Sequence, residues 1–153
     1  MPSAAVPKTA FSMAAIRGKD TKPEMIVRRH LHACGFRYRV HKKDLPGTPD
    51  ITLARYRVVI QVNGCFWHGH DNCPLLRLPA SRSAYWAGRL GRNVARDWQN
   101  TRALEALAYT VLTVWECELK PAKQGETLRR LTEDIRTAST PSLAELEYQA
   151  SFM

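Results

Sequence analysis

Acidic residues are scarce in this 153-residue chain, with 14 Asp and Glu against 23 Lys and Arg and a formal net charge of +9. Long apolar runs are missing as well. The longest, such as Val58-Val59-Ile60, fall far short of a membrane span, and no N-terminal stretch has the apolar core of a secretory signal. A cytosolic protein is expected. Cysteine is limited to four residues, poor disulfide candidates in a reducing compartment, so clustered ones read better as thiolate ligands. Internal repeats and low-complexity blocks are lacking, and the length suits one domain. The 44% hydrophobic content is that of a folded globule, and a folded cationic surface suggests a polyanionic partner. The same charge excess also fits a solubility feature.

Residues 1–11 mix Pro, Ser and Ala without periodicity and read as a flexible arm, followed by a single domain over 12–137 and a tail over 138–153. Thr21-Lys22-Pro23-Glu24 is a capping-box pattern, predicting a helix over Lys22–Ala33 that buries Ile26, Val27 and Leu31. Cys34, three residues beyond Leu31, reads as a small buried hydrophobe. Phe36-Arg37-Tyr38-Arg39-Val40 alternates apolar and basic residues as a half-exposed strand does. After the breakers Leu45-Pro46-Gly47-Thr48-Pro49, residues 50–53 and 57–63 read as antiparallel strands joined around Arg55-Tyr56. Helices are expected over 83–90 and 93–107, separated by Gly91, the second with Val94, Trp98, Thr101 and Leu104 on one face. A strand over 110–116 then delivers Cys117, and a helix over 126–137 completes an α/β layer arrangement in which helices flank a mixed sheet.

The densest chemistry lies in Gly64-Cys65-Phe66-Trp67-His68-Gly69-His70-Asp71-Asn72-Cys73. Cys65, His70 and Cys73 have the spacing to wrap a tetrahedral ion, and Cys117 offers a fourth ligand. A zinc held by four protein ligands is structural, because its coordination sphere is closed. His68 then stands free for acid or base work, or is a surface imidazole. Phe66 and Trp67 are core aromatics or wedges for DNA base steps.

If the turn centres on Arg55-Tyr56, cross-strand partners have numbers summing to 111, which sets Asp50 opposite Gln61. A carboxylate there beside Gln61 and Asn63 suits a hard divalent cation, Mg²⁺ above others. Alone, Asp50 reads better as a turn carboxylate after Pro49. Glu24 alone reads as a helix cap, and Asp97 as an exposed helix residue near Arg96.

Gly64-Cys65-Phe66-Trp67-His68 with His70 and Cys73, Leu45-Pro46-Gly47-Thr48-Pro49-Asp50 upstream and Val114-Trp115-Glu116-Cys117 downstream resembles the very short patch repair DNA mismatch endonucleases, over about residues 13–117. The resemblance implies a restriction-endonuclease-like fold and an enzyme that nicks double-stranded DNA beside the thymine of a T:G mismatch, ahead of a repair polymerase and ligase. It also implies Asp50 and the Val62 carbonyl as Mg²⁺ ligands, His68 as the activator of water, Asp97 as its orienting partner, and Glu24 acting through metal-bound water. The implied zinc ligands are Cys65, His70, Cys73 and Cys117. Met13, Phe66 and Trp67 match inserting residues, and Arg89 and Asn93 match mismatch contacts. A monomer is expected.

The chain departs from the pattern at Val62-Asn63, where Thr-His is familiar, at Arg89 in place of lysine, and at Asn72, which lengthens the metal loop by one residue. Asparagine hydrogen-bonds but carries no proton. Two other functions remain compatible with the sequence: a mismatch-binding module without turnover, and a nicking enzyme without mismatch preference.

Overall fold

The computed structural model describes residues 19–138 together with 147, 148, 150 and 151. Met13, the N-terminal arm and most of the expected C-terminal tail lie outside them. Helix α1 spans Lys22–Ala33, as expected. Its N-cap is Thr21, whose hydroxyl accepts from the Glu24 amide at 3.4 Å, and Pro23 has the fixed φ of a first helical turn. Glu24 does not close the box on Thr21. Its carboxylate accepts from the Asp20 amide at 3.3 Å instead, and the side chain is only 2% exposed.

Four strands follow in the spatial order β1-β2-β3-β4: β1 Arg39–Val40, β2 Ile51–Leu53, β3 Val58–Asn63 and β4 Thr110–Trp115. The first three are antiparallel, and Ile51 pairs with Ile60, Thr52 with Val59 and Leu53 with Val58. Every one of those pairs has the expected sum. β3 and β4 are parallel, which requires a crossover. That connection carries the cysteine-rich loop and helix α2, Ser83–Ala106. Helix α3, Pro121–Ala138, follows a short 3-10 turn at Glu116–Leu119.

The core forms where one face of the sheet meets α1 and α3: Ile51, Leu53, Val58, Ile60 and Val114 pack with Val27, Leu31, Leu128, Leu131 and Ile135. Helix α2 contacts β4, burying Leu90 and Leu104. The result is a mixed α/β fold. Among the described residues no helix is long and apolar enough to cross a membrane.

Several elements differ from expectation. The strand expected over 36–40 shrinks to Arg39–Val40, because β2 ends at Leu53 and the chain turns into a 3-10 segment, Ala54–Tyr56. In the β1–β2 register Phe36 and Arg37 fall opposite this 3-10 segment and have no strand to pair with; Phe36 packs edge-on against Tyr56 at 5.4 Å between ring centroids. Gly91 does not divide α2. A single glycine costs only about 1 kcal/mol in a helix interior, and burial of Leu90 and Leu104 anchors the helix on both sides of it. Val94 and Trp98 are exposed, at 44% and 63%, because the inward stripe of α2 is Leu90, Asn93, Asp97 and Leu104. Cys34 is exposed at the α1 C-cap, since the helix ends one residue earlier. Helix α3 starts five residues before Glu126, at Pro121, whose φ suits a first helical position.

Gly47 links fold and site. It has φ +74°, and a Cβ there would lie 2.6 Å from the Asn100 side chain of α2. Gly47→Ala is therefore expected to destabilise the protein by about 1–3 kcal/mol, read as a lower urea midpoint with an unchanged denaturant slope.

Candidate active site and metal cluster

Asp50 directly precedes β2, and its position is set from both sides. Its amide donates to Gln61 Oε1 at 3.5 Å, and its Oδ2 accepts from the Val62 amide at 2.8 Å, so the carboxylate sits where β3 leaves the paired register. Burial pushes its pKa up to about 6, and the Glu24 carboxylate adds to the rise; the Val62 amide and the His41 and His68 imidazoles oppose it. A carboxylate that resists ionisation in isolation is poised to take a cation.

Beyond Asn63 the chain folds into tight turns, with the His68 amide on the Gly64 carbonyl at 3.1 Å and the His70 amide on the Cys65 carbonyl at 3.0 Å. These turns aim His68 at α2, where Nδ1 meets Asp97 Oδ2 at 2.6 Å. A carboxylate only accepts, so Nδ1 is the donor to Asp97, and in the neutral ring Nε2 keeps the lone pair. Gly69, with φ +59°, completes the approach, because a Cβ there would lie 2.8 Å from Val94.

The donor atoms of Cys65, His70, Cys73 and Cys117 all lie within 4.8 Å of one another. Burial pushes the Cys65 thiol up to about 12 and raises that of Cys117, whereas hydrogen bonding from the Leu75 amide lowers that of Cys73. The Cys117 amide donates to the Cys65 sulfur at 3.4 Å, and the His70 ring stacks on Trp115 with centroids 4.0 Å apart. Three sulfurs and an oriented imidazole form a donor set that could hold a soft or borderline metal ion.

Phe66 and Trp67 are half-buried in an aromatic cluster with Trp86, at centroid distances of 5.1, 5.6 and 5.9 Å. Asn93 donates to the Trp67 carbonyl at 3.0 Å, and the Arg89 guanidinium lies 5.5 Å from the centre of the Trp67 ring. Of the residues singled out from the sequence, the fold thus gathers Asp50, Val62, His68, Asp97 and Glu24 in one neighbourhood and Phe66, Trp67, Arg89 and Asn93 in another. Sequence reasoning missed Trp86, Trp115 and His41. Trp86 lies on the inward stripe of α2, four residues before Leu90, and that spacing was its available signal.

The raised pKa of Asp50 fixes a sign. Its proton is held more tightly in the folded protein, so its contribution to metal-free stability is full below about pH 4 and is lost as pH rises through about 6. Asp50→Asn is expected to remove that dependence and raise metal-free stability at pH 7 by about 1–3 kcal/mol. Urea unfolding at pH 5 and pH 7 in a chelating buffer checks it.

The family model described as DNA mismatch endonuclease Vsr matches residues 5–74. The type II nicking enzyme V.XorIIP of Xanthomonas oryzae is 49% identical over 109 residues, 71% of this chain and 79% of the relative. The type II nicking enzyme V.NmeAIP of Neisseria meningitidis is 42% identical over 86% of this chain and 94% of the relative. The DNA mismatch endonuclease Vsr of Escherichia coli is 40% identical over 81% and 78%. With similarity of this extent running through the loop that carries Cys65, Trp67 and His68, the chain belongs to the Vsr DNA mismatch endonuclease family.

Proposed function

We propose that the protein is a Mg²⁺-dependent endonuclease that nicks one strand of double-stranded DNA beside the thymine of a T:G mismatch. The observation that carries this reading is the 2.6 Å contact between His68 and Asp97, made close enough to Asp50 for the imidazole to act on its charge. A general base oriented by one carboxylate and set beside a second, cation-seeking carboxylate is the equipment of phosphodiester hydrolysis.

In this reading Asp50 and the Val62 carbonyl hold the Mg²⁺. Within an extended strand the N–H and C=O of one residue point to the same edge, so the amide that meets Asp50 turns its own carbonyl to the same side. Hard oxygen donors of this kind fit Mg²⁺, with water and a substrate phosphate completing the shell. When bound, the ion would supply positive charge beside the attacked phosphate and lower the pKa of the attacking water. His68 Nε2 takes a proton from that water, and Asp97 fixes the tautomer and stabilises the imidazolium that results. Glu24 would act through water on the cation.

Zn²⁺ in the Cys65, His70, Cys73 and Cys117 cluster has a structural role: four protein ligands leave no open position for chemistry. Phe66 and Trp67 form the wedge. Rigid apolar side chains that enter a base step unstack it, and the packing of both rings on Trp86 supplies the rigidity. Arg89 and Asn93, already in contact with Trp67, stand where mismatched bases are read, and Met13 inserts from the other groove. The +9 charge favours association with the duplex. A monomer that leaves a single nick, later resealed by a polymerase and a ligase, completes the reading.

The test is a nicking assay on end-labelled T:G and T:A duplexes with and without Mg²⁺. The T:G duplex is nicked and the T:A duplex is spared, Asp50→Ala abolishes the nick, and His68→Ala slows it about 10²–10⁴-fold. Cutting by Asp50→Ala at the wild-type rate sinks the mechanism, and equal cutting of both duplexes sinks the mismatch preference.

A further inference from the structure

His41 has no part in the reading above, yet it touches two of the site's acidic residues, Glu24 and Asp50. It directly follows β1 with φ +48°, in the left-handed region that a β-carbon disfavours and that persists only where the surroundings hold it. Its amide donates to the Asp50 carbonyl at 3.1 Å. Its Nε2 lies 3.0 Å from Glu24 Oε1, and because a carboxylate only accepts, that nitrogen is the donor. The imidazole itself is largely buried, at 16% exposure.

Glu24 is held on its other oxygen too. Oε2 accepts from Arg28 Nη1 at 3.1 Å and from the Asp20 amide at 3.3 Å. Asp20, Glu24 and His41 have the proximity of a metal site, but Arg28 also meets Asp20 at 2.6 Å. A guanidinium already supplies the cation that this cluster needs. Its members therefore serve to hold Glu24, and only one of them, His41, also reaches β2. Without that link Glu24 would rest on α1 and Asp50 on the sheet, with like charges pushing them apart.

We infer that His41 is a positioning residue: its imidazole fixes Glu24 relative to Asp50 so that the two carboxylates face a divalent cation and its bound water in one geometry. The inference rests on the cation-dependent reading of Asp50. It also gives the left-handed backbone a purpose, since that turn lets one residue donate from its main chain to β2 and from its side chain to α1.

Two variants separate side chain from backbone. His41→Gly removes the imidazole while relieving the left-handed conformation, so folding is preserved. His41→Gln keeps an N–H donor of similar reach. Mn²⁺ binding to the DNA-free protein is measured by electron paramagnetic resonance, alongside the Mg²⁺ dependence of T:G nicking and the affinity for T:G duplex in chelator. For His41→Gly, Mn²⁺ affinity falls and half-activating Mg²⁺ rises by about tenfold or more, whereas DNA affinity in chelator is unchanged; His41→Gln restores most of both.

Wild-type Mn²⁺ affinity and Mg²⁺ response in His41→Gly would overturn the inference and leave the proposed function intact. So would a loss that glutamine does not rescue, or one matched by a parallel loss of DNA affinity, which marks a merely structural residue. A wild-type protein that neither binds Mn²⁺ nor nicks overturns both.

Discussion

The arrangement depends on the convergence of Cys65, His70, Cys73 and Cys117. Three of the four lie in a loop with little regular structure, which packing alone would hold poorly. The fourth is delivered by β4, the strand parallel to β3. The cluster thus ties the loop that leaves β3 to the turn that leaves β4, at one point on the rim of the sheet. Between these ties lie Phe66, Trp67 and His68, the residues on which the proposed chemistry and DNA contact rest. Thiols that resist ionisation, as those of Cys65 and Cys117 do, would be a poor use of this space unless a cation compensated them, and the stacking of Trp115 on His70 holds the imidazole in orientation.

Helix α2 is the second support. Its inward stripe is unusual in carrying Asn93 and Asp97 between Leu90 and Leu104, each polar residue engaged with the loop: Asn93 on the Trp67 carbonyl and Asp97 on His68. The sheet supplies the third part, because the β2–β3 register places Asp50 against the Val62 amide. Loop, helix and sheet meet at His68, Asp97 and Asp50, where the proposed reading sets the phosphodiester. Buried acidic groups at that point cost stability in the absence of a cation, a common trade at functional sites.

The elements legible in the sequence are those with a local cause. Helix α1 was readable from Thr21 and Pro23, and the β2–β3 register from a turn short enough to fix the pairing sum. The Cys/His cluster was readable because three of its four members are neighbours in sequence. The α2 stripe was not, since its inner face carries Asn93 and Asp97, which bond to the loop, and leaves Val94 and Trp98 outside, so apolar periodicity points the wrong way. Gly91 misled for a related reason: burial on both sides outweighs a small local penalty. His41 was hidden because its role depends on where β1 pairs with β2, and five loop residues of breaker type gave that pairing no fixed register. Asn63, where the familiar pattern offers histidine, sits at the end of β3 paired with Trp115, so His68 is left to carry the proposed base function.

The most direct test of the central claim is zinc-edge X-ray absorption on the purified protein, with nicking followed before and after the metal is removed. The account predicts about three sulfurs near 2.3 Å and one nitrogen near 2.0–2.1 Å, with loss of T:G nicking when the ion is withdrawn. A metal-free protein that nicks a T:G duplex at the undiminished rate would contradict it.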